Sequence, residues 1–178
     1  MKIVVVLLFT CIVSIQAADN VLTRKLLAFE LGKTYSGERH TKKLLTKFQS
    51  NPEYDDYYSR VRSERSAAYC TYVFSKNYGN IPFAGYNWDG IKITLTKERK
   101  LAVVEFVKYH GCEQFDYVAD DLKRRYAEIA TGRINESSAC WTDLKTTISL
   151  CVDGEALRLS YSDLDLILRI YKDEKNEL

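Results

Sequence analysis

The chain has 178 residues, with 26 Lys and Arg against 24 Asp and Glu and a formal charge of +2. That near-balance lacks the electrostatic footprint of a nucleic-acid binder, so no nucleic-acid partner is expected. Two prolines and eight glycines exclude a disordered linker array, and the length suits one domain with a real core rather than two.

In chain order, the first signal is Lys2 followed by an apolar run from Ile3 to Ile15, broken only by Thr10, Cys11 and Ser14, and then by Ala17 and Ala18. The run is too short for a stable anchor and polar Asp19-Asn20 follows it. Residues 1–17 therefore read as a signal peptide that is cleaved, taking Lys2 and no acid and leaving a charge of +1. An uncleaved anchor is the competing reading, disfavoured because no basic stop-transfer flank follows. No membrane span is expected after cleavage.

Asn20 is placed to cap a helix with Leu22, Leu26, Leu27 and Phe29 on one face, stopped by Gly32. A second helix is expected from Ser36 through Leu44, Leu45 and Phe48. Asn51-Pro52 then supplies a cap and a first-turn proline for a third, with Tyr54, Tyr58, Val61, Arg65 and Ala68 along one side. From Ala67 to Ser75 the alternation of Tyr69, Thr71 and Val73 with Cys70, Tyr72 and Phe74 predicts a strand. Residues Asn77 to Gly90 form a turn-rich loop carrying Phe83, Tyr86 and Trp88, either a binding lip or a lid pinned to the core.

Ile91 to Thr96 and Leu101 to Tyr109 read as a hairpin joined by the charged Lys97-Glu98-Arg99-Lys100. Phe115, Val118, Leu122, Tyr126 and Ile129 mark one side of a helix, and Lys123-Arg124-Arg125 lie on its solvated face. Asp153-Gly154 between two alternating runs, Ile148 to Val152 and Glu155 to Tyr161, is the strongest local signal and predicts a tight hairpin. Leu164 to Tyr171 alternates and is read as a last strand, with a helix as the competitor.

The sum is an α+β fold: N-terminal helices followed by a mainly antiparallel sheet in the order hairpin, helix, C-terminal meander. That order resembles cone-shaped arrangements of the nuclear-transport-factor-like and cystatin-like kinds, or a small lipocalin-like barrel behind helices. The analogy is one of element order, with no shared motif.

Cys11 leaves with the leader, so Cys70, Cys112, Cys140 and Cys151 remain, an even number for an oxidising compartment and two disulfides. Pairing of Cys140 with Cys151 and of Cys70 with Cys112 is preferred. A Cys112–Cys140 bridge would be stretched taut by an intervening helix of about 27 Å. The Cys140–Cys151 bridge requires the chain to reverse near Asp143 to Thr146. Asn135-Glu136-Ser137 is an N-glycosylation sequon in a polar segment. The terminal Lys175-Asn176-Glu177-Leu178 is similar to the Lys-Asp-Glu-Leu signal through which a receptor returns proteins to the endoplasmic reticulum, with Asn176 in place of an acid. The domain plan is thus a leader at 1–17, one disulfide-stabilised domain at 18–171, and a flexible tail at 172–178.

No Cys-x-x-Cys, zinc spacing, phosphate loop or nucleophile motif is present, so no cofactor, metal or catalytic residue is assigned. His110 beside Cys112 is read as structural, His40 has no motif around it, and Asp116, Asp120 and Asp121 have spacings that many acids produce by chance. The leading expectation is a non-enzymatic binding protein of the secretory pathway, holding an apolar ligand or a polypeptide partner, with Phe83, Tyr86 and Trp88 as candidate contacts. A folding or cargo-export assistant resident in the endoplasmic reticulum, and recognised by the retrieval receptor, comes second. A secreted hydrolase with a site assembled by the fold comes third.

Overall fold

Alternating segments dominate the chain from Tyr69 onward, and each can bury one side only by pairing with a neighbour. A computed structural model describes residues 22–36, 41, 58–66, 68–76 and 81–175. The expected leader, most of the helix expected from Ser36, and residues 176–178 lie outside the described residues.

A minimal hairpin joins Lys25–Leu26 (β1) to Phe29–Glu30 (β2). Tyr58–Arg65 (β3) and Tyr69–Lys76 (β4) follow, then a small hairpin of Ile81–Phe83 (β5) and Tyr86–Trp88 (β6). Gly90–Thr96 (β7) and Leu101–Lys108 (β8) precede the helix Phe115–Tyr126 (α1). Thr131–Ile134 (β9), Ser138–Thr142 (β10), Thr146–Asp153 (β11) and Ala156–Asp163 (β12) lead into Leu164–Lys175 (α2).

Eight of these strands form one antiparallel sheet in the order β3-β4-β7-β8-β12-β11-β10-β9. It is open, with β3 and β9 as edges, so the barrel expectation does not hold among the described residues. Register sorts the side chains. Phe74 lies opposite Ile91, Ile91 opposite Phe106, Phe106 opposite Leu159, and Leu159 opposite Leu150, so one row of apolar groups crosses five strands. The face they share is covered by α1, by Leu22, Leu26, Phe29 and Leu31, and by the β5–β6 hairpin. Burying each such side chain is worth about 1.5–3 kcal/mol, which makes this face the main source of cohesion. The opposite face carries a smaller cluster in which Leu166 and Ile170 of α2 meet Ala68 and Ala102.

The expected strand at Ala67–Ser75, the hairpin of β7 and β8, helix α1 and the Asp153-Gly154 hairpin are present. Three expectations are overturned. Instead of a helix from Asn20 to Gly32, Leu26 faces Phe29 across a turn in which Leu27 has φ 57°. Long-range contacts hold it there: Arg24 pairs with Asp163 and donates to Thr146 Oγ1 at 3.1 Å, and the Leu22 amide donates to Asp143 Oδ2. Tertiary contacts of this kind outweigh helix propensity.

The third helix is the edge strand β3 from Tyr58 to Arg65, bonded to β4 with an irregularity between Arg60 and Arg62. Ser66 makes the reversal, its Oγ accepting from the amides of Ala68 and Tyr69 at 3.1 Å each, a side-chain turn that closes the hairpin. The final strand is instead helix α2. Asp163 Oδ1 accepts from the Leu166 amide at 3.0 Å, and Asp165 sits in the first turn with Lys172 and Lys175 in the last, so cap and dipole both favour helix. Helical structure therefore runs through Lys175, into the segment expected to be tail.

Candidate functional site

The aromatic loop is spent on the core. Ala84 (φ 56°) and Gly85 (φ 88°) supply the two left-handed residues that a tight hairpin turn needs, and this folds β6 back on β5. Trp88 is 1% exposed and its Nε1 donates to the Phe83 carbonyl at 3.1 Å. The Phe83 ring stacks on Phe106 with centroids 4.2 Å apart and meets Tyr161 edge-on at 5.5 Å. Tyr86 is half-buried and bonds the Tyr117 carbonyl on α1 at 3.3 Å. Phe83, Tyr86 and Trp88 come together, then, as a clamp over the sheet.

A cavity of about 220 Å³ lies elsewhere, where the β3–β4 and β7–β8 reversals meet. Ser66, Tyr69, Cys70, Tyr72, Leu95, Thr96, Lys97 and Arg99 line it. Pairing builds it: Tyr69 lies opposite Thr96 and Cys70 opposite Leu95, which brings the two chain reversals to one end of the sheet. The β7–β8 turn is fixed by Arg99 N to Thr96 O at 2.8 Å and Lys97 N to Ala68 O at 3.0 Å, and Arg99 takes φ 62°. Lys97 Nζ pairs with Asp173 Oδ2 of α2 at 2.8 Å. Burial pushes the Tyr72 hydroxyl up from its ordinary range, the adjoining Cys70 thiol pushes it further, and the Arg99 guanidinium acts in the opposite sense. Tyr72 is therefore a protonated hydrogen-bond donor at neutral pH. Among the described residues the pocket's lining contains neither carboxylate nor imidazole.

No family model, curated protein or solved structure matches this chain.

Cys70, Cys112, Cys140 and Cys151 stand as thiols in the structure. Cys70 is at the Leu95 end of β7, whereas the Cys112 amide bonds the Glu155 carbonyl beyond the far end of β8. The intervening strand length is at least about 20 Å, so the expected Cys70–Cys112 bridge does not fit this fold. The chain does reverse at Asp143–Thr146, through Asp143 Oδ1 accepting from the amides of Lys145 and Thr146 at 2.7 and 2.6 Å. Cys140 then lies opposite Ser149 and Cys151 opposite Ser138, which makes the two thiols diagonal neighbours on one face. Such diagonals are about 7–8 Å apart between Cα atoms, just outside the span a disulfide bridges without backbone movement.

His110 Nδ1 meets Glu155 Oε2 at 2.5 Å on a largely exposed surface. His40 lies outside the described residues. Asp121 is engaged by Arg125 at 3.1 Å and Arg124 at 3.7 Å along α1, an ordinary helix-surface arrangement. No group of three or more His, Cys, Asp or Glu that could hold a metal exists among the described residues. Asn135 is exposed in the β9–β10 turn, and its Oδ1 accepts from the Ser137 and Ser138 amides at 3.1 and 2.7 Å. Lys175 lies 4.8 Å from the Tyr171 ring centroid, and Asn176, Glu177 and Leu178 lie outside the described residues. No helix among the described residues is long and apolar enough to cross a membrane.

Sequence reasoning missed the pocket because its members come from two turns and two strands that become neighbours only through sheet register. The available signal was limited to Ser66 and the Lys97–Arg99 cations, each placed at a chain reversal.

Proposed function

We propose that the protein is a non-enzymatic binding protein of the secretory pathway and that its ligand enters the pocket beneath the β7–β8 turn. The observation that carries this reading is the lining. Tyr69, Tyr72 and Leu95 offer walls for an apolar body or for a partner's side chain, and Ser66, Thr96, Lys97 and Arg99 offer polar groups. A lining without carboxylate or imidazole suits holding a ligand better than acid–base turnover. The test is a thermal-shift screen of small aromatic and aliphatic compounds, repeated on Tyr69→Ala. Hits that vanish in the variant support the reading. Hits that persist, or turnover of ester substrates that survives Tyr69→Ala, overturn it.

A second reading, residence in the endoplasmic reticulum as a folding or cargo-export assistant, rests on the likeness of residues 175–178 to a retrieval signal. Deleting residues 175–178 should move a resident protein into the medium, and an unchanged distribution would reject residence. In such a compartment Cys140 and Cys151 are the pair nearest to bridging and need a small backbone shift to oxidise, the Asn135 side chain is the one to carry sugar, and a Cys70–Cys112 crosslink in non-reducing peptide maps would contradict the sheet order.

A further inference from the structure

The pocket's hydrogen-bonding chemistry is one-sided. Ser66 Oγ already accepts from two backbone amides, and Thr96 Oγ1 accepts from the Lys100 amide at 3.2 Å, so each hydroxyl retains its own hydrogen to donate. Arg99 adds a cationic donor beside the Tyr72 hydroxyl, which is itself engaged with Cys70 and Arg99. Lys97 is balanced by Asp173, which leaves Arg99 as the source of net positive charge at the rim. Among the described residues the cavity therefore presents donors and one cation without an ion-pair partner, and its lining holds no carboxylate. A volume of about 220 Å³ is several times the roughly 30 Å³ that one water occupies, enough for a compact polyatomic group.

We propose that this pocket binds an oxyanion, the phosphate or sulfate group of a small ester, with Arg99 as its principal charged contact and the Ser66 and Thr96 hydroxyls as orienting donors. The inference rests on the binding reading above and names the ligand class. Guanidinium suits this role because its planar fork pairs with two oxygens at once. Arg99 takes φ 62° in the β7–β8 turn and lines the cavity, and the Lys97 amide ties that turn to the Ala68 carbonyl at 3.0 Å.

The experiment follows backbone amide signals of the secreted chain by NMR during titration with sodium sulfate, phenyl phosphate and neutral benzyl alcohol, each against sodium chloride at matched ionic strength. Sulfate and phenyl phosphate should give saturable shifts concentrated at residues 66–72 and 95–100, and chloride should not. Arg99→Asn, which tolerates the left-handed conformation, should weaken phenyl phosphate at least tenfold, and Arg99→Lys should restore part of that loss. Shifts that follow ionic strength alone, or an affinity unchanged in Arg99→Asn, would overturn the oxyanion assignment. Saturable binding of benzyl alcohol without sulfate binding overturns the ligand class and keeps the binding reading. Silence from all three probes overturns both.

Discussion

The two faces of the eight-stranded sheet are made by the same strands and cohere by different physics. On one, Phe74, Ile91, Ile93, Val104, Phe106, Ile148, Leu150 and Leu159 are essentially excluded from water and hold through contact area alone. On the other, the rows are polar and satisfied pairwise. Thr71 bonds Thr94 at 3.0 Å, Ser149 bonds Ser160 at 2.6 Å, Thr142 bonds Thr147 at 3.1 Å, and Arg158 joins Glu105 at 2.9 Å to Asp153 at 3.0 Å. The contrast predicts two failure modes. Loss of volume is felt in proportion to size on the apolar face, and loss of one partner on the polar face strands the other.

The largest effect should come from the centre of the apolar face. Phe106 is fully buried and touches both Phe83 and Trp88, so Phe106→Ala should cost about 3–5 kcal/mol in urea unfolding and release the β5–β6 hairpin. A loss below about 1 kcal/mol would mean that the hairpin does not seal this face. Next is Arg158→Met, which leaves Glu105 (7% exposed) without its partner at 2.9 Å. Because the arginine is itself about a third exposed, a loss of roughly 2 kcal/mol is expected rather than the full price of a broken buried pair. The double variant Glu105→Leu with Arg158→Met should recover much of it, and additive losses would deny that the two are coupled.

Smaller again is Gly132→Ala, at the rim of the apolar face. A Cβ there would lie 2.8 Å from Trp141 Nε1 and 2.9 Å from its Cδ1, and Trp141 is enclosed by β11 and has no open side to move into. We expect about 1–2 kcal/mol of destabilisation from overpacking, read as earlier hydrogen exchange in β9 and β10 before the rest of the sheet. Uniform exchange across all eight strands would show that the rim is no weaker than the centre.

How much of this was legible beforehand follows the same division. Where a strand has one apolar and one polar side, as in Ile91 to Thr96 or Ile148 to Val152, alternation named it correctly. Asp153-Gly154 named the turn as well. The N-terminal region failed because Leu22, Leu26 and Phe29 also fit helical spacing, and what decides between them is Arg24 reaching Asp163, a contact across more than a hundred residues of sequence. The last segment was decided by a cap that the sequence does display, Asp163 ahead of Leu164 to Leu166, but the alternation of Leu164, Leu166 and Leu168 with Asp165 and Arg169 masked it. Phe83, Tyr86 and Trp88 stand out in the sequence for aromatic content, which the fold uses for burial. The pocket at Tyr72 and Arg99 was invisible because register, not composition, assembles it.

The smallest effect probes the polar face through one titration. Cys151 lies opposite Arg158, and burial, reinforced by the charge of Glu105 and opposed by Arg158, pushes its thiol up to about 11 from an ordinary 9. A raised folded-state value means that the folded chain holds the proton more tightly than the unfolded one. The corresponding stabilisation is complete below pH 9 and is lost as pH rises through 11. In the reduced protein, Cys151→Ser removes that loss, so the wild-type stability should fall by about 1 kcal/mol more than the variant's between pH 8 and 11, after allowance for solvent screening. Tyr72 and Tyr161, also pushed up by burial, titrate in both proteins and cancel in the difference. Parallel stability curves would place Cys151 in contact with water and remove it from the polar row. A diverging pair would show that the folded chain shields the thiol from water, with the Glu105 carboxylate adding a smaller contribution in the same direction and Arg158 opposing it.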